Sequence, residues 1–131
     1  MEKRFFNFAA PWERNISFSQ GVSVSGGRWI LLSGQASLDD QGNVVGKGDM
    51  ELQVRTSLEA IRRALALAGA TPADVIKLNV YTTDCRAFHK TQPTREAFFP
   101  KPYPAQTLVE VTRLAMRDLL VELEVTAVVA D

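Results

Sequence analysis

Glu122 and Glu124, near the C-terminus, are the residues whose type and spacing best suit chemistry. Alternate residues of a strand point to the same side, so the two carboxylates lie about 6.5 Å apart on one face. If they are buried together, their like charges raise the pKa of at least one carboxyl, as a general acid or base requires. The spacing fits equally well two carboxylates of an edge strand that are exposed or paired with Arg or Lys.

Cys85 and His89 are the other candidates, and each is the only residue of its type. A helix dipole at the start of a helical segment could lower the pKa of the Cys85 thiol, but a lone Cys is more often a small buried apolar residue. His89 alone cannot build a His-rich metal site, and we favour a surface or packing role. The chain lacks phosphate-loop, dinucleotide-binding and paired-cysteine motifs, so we expect no metal and no cofactor.

These residues must be positioned by alternating strands and helices. A polar/apolar alternation predicts a strand over 16–24, and Asp49 is a suitable N-cap for a helix that Gly69 ends. Pro93 is expected to divide the segment 85–99 into a short helix to about Thr91 and a new start. Further strands are predicted over 29–32, 44–45, 75–83, 105–113 and 119–129.

The order of these elements predicts an α+β fold in one domain, residues 1–131. The helices connect strands, so both main helices should pack on one face of a mixed sheet. The last strand would then place Val121, Leu123 and Val125 on one side, with Glu122 and Glu124 on the other. Two carboxylates on the uncovered face are best explained if that face meets another subunit or lines a pocket.

The composition narrows the class of protein further. Fifteen basic residues balance 15 acidic ones, so no global field attracts nucleic acid or a membrane surface. No apolar stretch approaches the ~20 residues that span a bilayer, and the N-terminus lacks the pattern of a signal peptide. We therefore expect a cytoplasmic protein with no nucleic-acid and no membrane partner.

Four stretches, taken in order, resemble the Rid family of reactive intermediate deaminases, also called YjgF-like or L-PSP endoribonucleases. They are Leu31–Gln35, Phe88 with Glu96–Phe99, Pro104–Val111 and Glu122–Val128. The resemblance implies a chorismate-mutase-like fold and a homotrimer whose sheets form a central barrel, with small-molecule clefts between subunits. It also implies hydrolysis of small imines or enamines, such as 2-iminopropanoate, to a keto acid and ammonia.

The resemblance also assigns residues. Glu122 is similar to the glutamate that activates water, Ser33 and Gly34 to the pair that lines the cleft, and Phe88 to its aromatic wall. Five other positions depart from the family pattern. Gln106 stands in place of the arginine that binds the substrate carboxylate, and Leu108 stands in place of a cysteine. Gln92 replaces an asparagine, and Arg95 and Phe18 each replace a tyrosine.

The amide of Gln106 is the feature on which the functional hypotheses depend. An amide has no charge and no fork of donors, and a charge-assisted hydrogen bond contributes about 1.5–3 kcal/mol, so a carboxylate substrate should bind roughly 10- to 100-fold more weakly. The first hypothesis is a Rid-like hydrolase with altered specificity, in which Glu122 is catalytic and Gln106 orients a neutral or differently bound substrate. Phe18, Phe88 and Leu108 would form its apolar walls.

Two alternatives stay open. The chain could be a non-catalytic trimer that binds a small molecule or a partner, or it could retain weak deamination of 2-iminopropanoate, which Gln106→Arg would increase. An RNA-cleaving role is disfavoured by the neutral charge, the single histidine and the lack of a basic face with aromatic residues.

Overall fold

The computed structural model describes all residues from 1 to 131. Seven strands, three α-helices and two short 3₁₀ helices follow one another along the chain. In order they are β1 (Glu2–Phe6), a 3₁₀ helix (Pro11–Asn15), β2 (Gly21–Ser25), β3 (Arg28–Leu31), β4 (Gln35–Ala36), α1 (Met50–Leu67), a 3₁₀ helix (Pro72–Asp74), β5 (Val75–Thr82), α2 (Cys85–His89), α3 (Gln92–Phe98), β6 (Ala105–Glu110) and β7 (Val121–Val129).

Five of the strands form one mixed sheet. Its order is β3-β7-β5-β6, and β4 also pairs with β7. Only β5 and β6 are parallel; β7 pairs antiparallel with β3, β4 and β5. The remaining two strands, β1 and β2, form a separate antiparallel pair. The predicted α+β fold with a mixed sheet is confirmed.

The two faces of the sheet differ in what covers them. The face that packs against α1, here called the covered face, holds Leu78, Val80 and Leu123, none more than 1% exposed. These side chains form one core cluster with Val54 and Ile61 of α1. The opposite face, here called the open face, carries the alternate residues of β5 and β7, which are half-buried except for the fully buried Val128. The alternation predicted for the last strand is confirmed.

Helix α1 begins and ends where the sequence predicts. The Asp49 side chain accepts a hydrogen bond from the Leu52 N–H at 3.0 Å, which satisfies one of the free donors of the first turn. Gly69 follows the helix with a φ of +75°, a conformation that a residue with a Cβ adopts only at a cost. The division near Pro93 is also confirmed, because α2 ends at His89 and α3 begins at Gln92.

The N-terminal third departs from the prediction. The strand expected over 16–24 begins only at Gly21, and a 3₁₀ helix occupies Pro11–Asn15. The segment between them runs beside the start of β6, where the Ser19 N–H donates to Pro104 O at 3.0 Å. The strand at 44–45 is also wrong, since Val44 makes only an isolated bridge with Leu38. Strand β1 had no counterpart in the sequence analysis.

No helix of the chain combines the length and apolar character of a membrane span.

Candidate functional site

Glu122 lies in the middle of the sheet. In β7 it pairs with Ala36 of β4 on one side and with Tyr81 of β5 on the other. Its half-buried side chain points to the open face. A carboxylate in this position is held by paired strands on both sides and still has access to solvent.

Gly34 makes the close approach to Glu122. A Cβ at residue 34 would lie 2.7 Å from Cδ of Glu122 and nearer still to its Oε2, distances that real Cβ atoms do not show. Gly34 has no positive φ, so contact with this carboxylate is the reason for a glycine here. Ser33, beside it, is exposed. The structure thus brings together Glu122 and the Ser33–Gly34 pair, which lie 88 residues apart or more in the chain.

Glu124 has a different environment from Glu122. It faces the same way, and its Oε1 accepts a hydrogen bond from Asn79 Nδ2 at 2.9 Å. The Glu122 side chain makes no hydrogen bond within the chain at the usual distances. Of the two carboxylates, Glu122 is therefore the one that is free to accept a proton or a hydrogen bond from a small molecule.

The rest of the open face is partly apolar. Trp29 is 56% exposed, Leu31 74% and Val109 41%. Trp29 and Leu31 of β3 pair with Val128 and Thr126 of β7, which places both on the Glu122 side of the sheet. Large apolar side chains on an uncovered sheet face are typical of an interaction surface.

Gln106 does not meet Glu122 within the chain. It pairs with Leu78, and Leu108 pairs with Val80, so both point to the covered face, while Glu122 points to the open face. Strand β5 also separates β6 from β7. A cleft that uses both Gln106 and Glu122 therefore needs residues from two copies of the chain.

Phe18 lines the largest cavity, which has a volume of about 730 Å³. Residues 7–19 of the N-terminal segment form one wall of this cavity, and residues 101–103 form the other. Neither Gln106 nor Glu122 lines it. Two basic residues that the sequence analysis did not single out, Arg14 and Lys101, do. No pattern in the sequence brings them together, since they lie 87 positions apart.

Two predicted site residues make contacts within the chain. Phe88 is 0% exposed and belongs to the core cluster, and its role as the aromatic wall of a cleft stays a prediction. Gln92 uses its Nε2 to donate to Asn15 O and to Glu96 Oε1, both at 2.8 Å. Its amide holds the N-terminal segment on α3.

Arg95, where the resemblance implies a frequent tyrosine, is also held by contacts within the chain. It is 5% exposed, its Nε donates to Thr91 Oγ1 at 3.2 Å, and its guanidinium carbon lies 4.2 Å from the centre of the Phe88 ring. Burial lowers its pKa to about 10, against the opposing attraction of Glu96 and Glu51. The charge is kept over an aromatic face, an arrangement that stabilises a partly desolvated cation.

Cys85 and His89 carry no sign of chemistry. Burial raises the pKa of the Cys85 thiol, and the negative charges of Glu110 and Asp84 raise it further. The shift of the thiol pKa is therefore opposite to the lowering that the helix dipole suggested. His89 is exposed. No group of three or more His, Cys, Asp or Glu side chains is arranged to hold a metal ion.

Comparison with known proteins agrees with the fold and the motifs. The sequence model of the family described as Endoribonuclease L-PSP matches residues 10–129. The chain is 34% identical over 114 residues to the 2-iminobutanoate/2-iminopropanoate deaminase of Salmonella typhimurium, covering 85% of this chain and 86% of that protein. It is 36% identical over 110 residues to a RutC family protein of Pyrococcus abyssi, covering 84% of each.

Solved structures give the same result. YyfB from Yersinia pestis, described as a Rid family protein of unknown function, superposes with a TM-score of 0.89 at 29% identity, covering 98% of this chain and 100% of that one. The YjgF gene product of Escherichia coli superposes with a TM-score of 0.69 at 34% identity, covering 84% and 86%. On the sequence match over residues 10–129 and these relatives, the chain belongs to the Rid (YjgF/L-PSP) family.

Proposed function

We propose that this protein hydrolyses a small imine or enamine. Its preferred substrate would not be 2-iminopropanoate, because Gln106 stands where the resemblance implies the arginine that binds the substrate carboxylate. The observation that carries the proposal is the Glu122 carboxylate, which is held by β4 and β5, approached by Gly34 and not used by another side chain. The relative in Salmonella typhimurium is named for acting on 2-iminobutanoate and 2-iminopropanoate.

In this proposal Glu122 acts as a general base. Its carboxylate accepts a proton from a water molecule as the water oxygen adds to the imine carbon. Glu122 returns this proton to the nitrogen, which gives a carbinolamine. The carbinolamine hydroxyl proton then passes through Glu122 to the nitrogen, the C–N bond breaks, and ammonia leaves while a C=O bond forms. Gln106 orients the substrate through its amide, Ser33 and Gly34 line the cleft, and Phe18 and Leu108 provide apolar contacts. Gln92 lies at the edge of the cleft, where its amide holds the N-terminal segment by the hydrogen bond to Asn15 O.

The proposed site lies between copies of the chain in a homotrimer, with the open faces forming a central barrel. Two observations support this arrangement: Gln106 and Glu122 face opposite sides of one sheet, and Trp29 and Leu31 are exposed on the open face. Burial of these side chains in an assembly would remove apolar surface from water, at about 25 cal/mol per Å². A cytoplasmic location is retained as part of the proposal, although one relative is named as a mitochondrial protein.

A direct assay tests the chemistry. Ammonia release is measured on 2-iminopropanoate generated in situ and on imines without a carboxylate, for wild type, Glu122→Gln and Gln106→Arg. We expect turnover of at least one uncharged imine, and a loss of about 100-fold or more in Glu122→Gln, because general-base catalysis contributes 10²–10⁴-fold.

The matched control is Glu124→Gln. Glu124 lies on the same face two residues away, and a glutamine there still accepts the hydrogen bond from Asn79. Equal activity of Glu122→Gln and wild type would overturn the role of Glu122. Gln106→Arg tests whether the change of specificity depends on this residue alone. If it does, the activity of the variant on 2-iminopropanoate should rise by about 10- to 100-fold. No increase would mean that other residues of the site also changed.

The second candidate is a non-catalytic trimer that binds a small molecule or a partner. It is favoured by the occupied amide of Gln92 and the buried ring of Phe88, which leave fewer predicted site residues free. It predicts that ligands raise the unfolding temperature while no imine in the screen yields ammonia.

A further inference from the structure

We propose that Tyr81 positions the attacking water beside Glu122: the phenol oxygen accepts one O–H of the water while the Glu122 carboxylate accepts the other. This inference rests on the hydrolysis proposed above and deepens it, because it assigns a second residue to the water. No motif of the sequence points to Tyr81. Its place beside Glu122 follows from the register of β5 against β7.

Tyr81 and Glu122 are direct neighbours across two strands. Tyr81 of β5 lies opposite Glu122 of β7 in an antiparallel ladder. Residues opposed in this way project to the same face, with Cβ atoms about 4.5–5.5 Å apart. Both side chains are half-buried on the open face. The phenol and the carboxylate therefore rise from the sheet side by side, and a small molecule that contacts one is close to the other.

The next row of the same two strands shows the effect of a shorter partner. Asn79 of β5 lies opposite Glu124 of β7, and its Nδ2 donates directly to Glu124 Oε1 at 2.9 Å. Tyr81 makes no such bond with Glu122, because a phenol reaches further from the backbone than a glutamate side chain does. Two neighbouring polar groups that do not bond directly are commonly bridged by a water.

The Tyr81 hydroxyl is free to hold this water. It makes no hydrogen bond to any group of the chain, and the polar side-chain atoms that are buried without a partner are Gln20 Nε2 and Ser57 Oγ only. The hydroxyl therefore contacts solvent, although the residue is half-buried. A phenol oxygen accepts hydrogen bonds, as an ionised carboxylate does. Tyr81 and Glu122 thus accept one hydrogen each from the same water.

The other neighbours in this row offer the water no side-chain hydrogen bond. On the β4 side Glu122 is opposed by Ala36, and Gly34 makes the close approach described above. On the β6 side Tyr81 is paired with Val109. Within this row of the sheet, Tyr81 is the one side chain beside Glu122 that orients a water.

Holding both hydrogens of the water leaves its lone pairs free to face the substrate. The O–H bound to Glu122 gives its proton to the carboxylate as the water oxygen adds to the imine carbon, and the C=N electron pair moves to the nitrogen, which receives that proton from Glu122. The O–H bound to Tyr81 stays intact and becomes the carbinolamine hydroxyl. Tyr81 therefore exchanges no proton, and it accelerates the addition by orienting the nucleophile in advance.

Tyr81→Phe tests the proposal, because it removes the hydroxyl and keeps the ring. On the imine that wild type hydrolyses fastest, kcat for ammonia release should fall by about 10-fold or more, while KM changes by less than about twofold. The hydroxyl has no partner in the chain, so the unfolding temperature should stay that of wild type. The matched control is Thr107→Val, which removes another hydroxyl from the open face, one that accepts from Lys77 Nζ at 2.9 Å, and should keep the kcat of wild type.

A double-mutant cycle separates positioning from a structural role. Once Glu122→Gln has removed the base, Tyr81→Phe should lower kcat by less than about threefold more, whereas a structural effect would multiply in full. A crystal structure of wild type supplies a second measurement. A water should lie within about 3.0 Å of both Tyr81 Oη and the Glu122 carboxylate.

The proposal is overturned if Tyr81→Phe has the kcat of wild type, if the two substitutions multiply in full, or if no water bridges the two groups. Ammonia release that is equal in wild type and Tyr81→Phe removes the role of Tyr81 and leaves the hydrolysis standing. If wild type releases no ammonia from any imine, the hydrolysis fails and the role of Tyr81 fails with it. If Tyr81→Phe does not fold, the water in the wild-type crystal still decides.

Discussion

The covered and open faces of the sheet are built from alternate residues of the same strands, yet they have opposite composition. On β7 the covered face receives Val121, Leu123 and Val125, all 1% exposed or less, while the open face receives Glu122 and Glu124. The covered face packs against α1 of its own chain, so apolar side chains that fill the core occupy it. The open face is covered within the chain at Val128, which is 0% exposed, but elsewhere it combines a free carboxylate with exposed Trp29 and Leu31. One face therefore stabilises the fold of the chain, and the other leaves a carboxylate and large apolar side chains exposed.

The largest effect expected from this difference is the loss of unfolding free energy when a cavity is made in the covered face. Leu123→Ala removes a side chain that is 0% exposed, and a buried Leu→Ala change typically costs about 2–5 kcal/mol of unfolding free energy. Urea denaturation at several protein concentrations should show this loss at each of them, since the contact lies within one chain. A loss below about 1 kcal/mol would contradict the assignment of this face as the core.

The next effect concerns the open face and association. Leu31→Glu places a charge on a side chain that is 74% exposed, and we expect the association constant of the proposed trimer to fall by about 100-fold, as for an interface residue whose contacts contribute over 2 kcal/mol. Leu67→Glu is the matched control, because Leu67 is 92% exposed on α1, away from this face. Sedimentation velocity measures both variants. If they associate equally, the open face is not the interface.

A smaller effect is expected at the contact between Gly34 and Glu122. Gly34→Ala must displace the carboxylate, because the added Cβ has no room beside it. A shift of about 1 Å in a catalytic group can cost on the order of 100-fold, so kcat for imine hydrolysis should fall by roughly 10- to 100-fold. Gly42→Ala provides the control, since its Cβ meets nothing within 4 Å while its φ of +82° makes the change costly for folding. Similar kcat values for the two variants would separate Gly34 from the chemistry.

The smallest effect lies on the helical side, where α3 holds the N-terminal segment. Hydrogen bonds from Ser17 and from Gln92 keep the pKa of Glu96 below its usual value. A lowered folded-state pKa contributes stability above the unfolded pKa, and this contribution is lost as the pH falls through the folded value. Wild type should therefore exceed Glu96→Gln in unfolding free energy at neutral pH, by a margin that disappears below the pKa of Glu96. A margin independent of pH would show that the charge of Glu96 does not hold the segment.

Local patterns predicted the elements whose determinants are close in sequence. Asp49 and Gly69 bound α1 because caps depend on residues within one turn, and Pro93 divides α2 from α3 because a proline acts on its own backbone. The alternation of β7 was also predictable, since side-chain direction in a strand has a period of two. The strand over 16–24 failed in its first half because contacts with α3 and β6 hold that segment in another conformation.

The candidate site was predictable only in part. Motifs identified Glu122 and the Ser33–Gly34 pair, and the structure places them together. They could not show that Phe88 is fully buried, because the burial of an aromatic ring depends on which helices surround it. Nor could they reveal the cavity with Arg14 and Lys101, whose walls come from distant parts of the chain.

What the sequence alone determined is the family, the α+β class and the side of β7 on which the two glutamates lie, because motifs and strand alternation are local properties. Only the tertiary structure decided that β5 separates Gln106 from Glu122 and that the two residues point to opposite faces. The physical reason is that strand order and register are set by contacts between residues far apart in sequence, which no local pattern encodes.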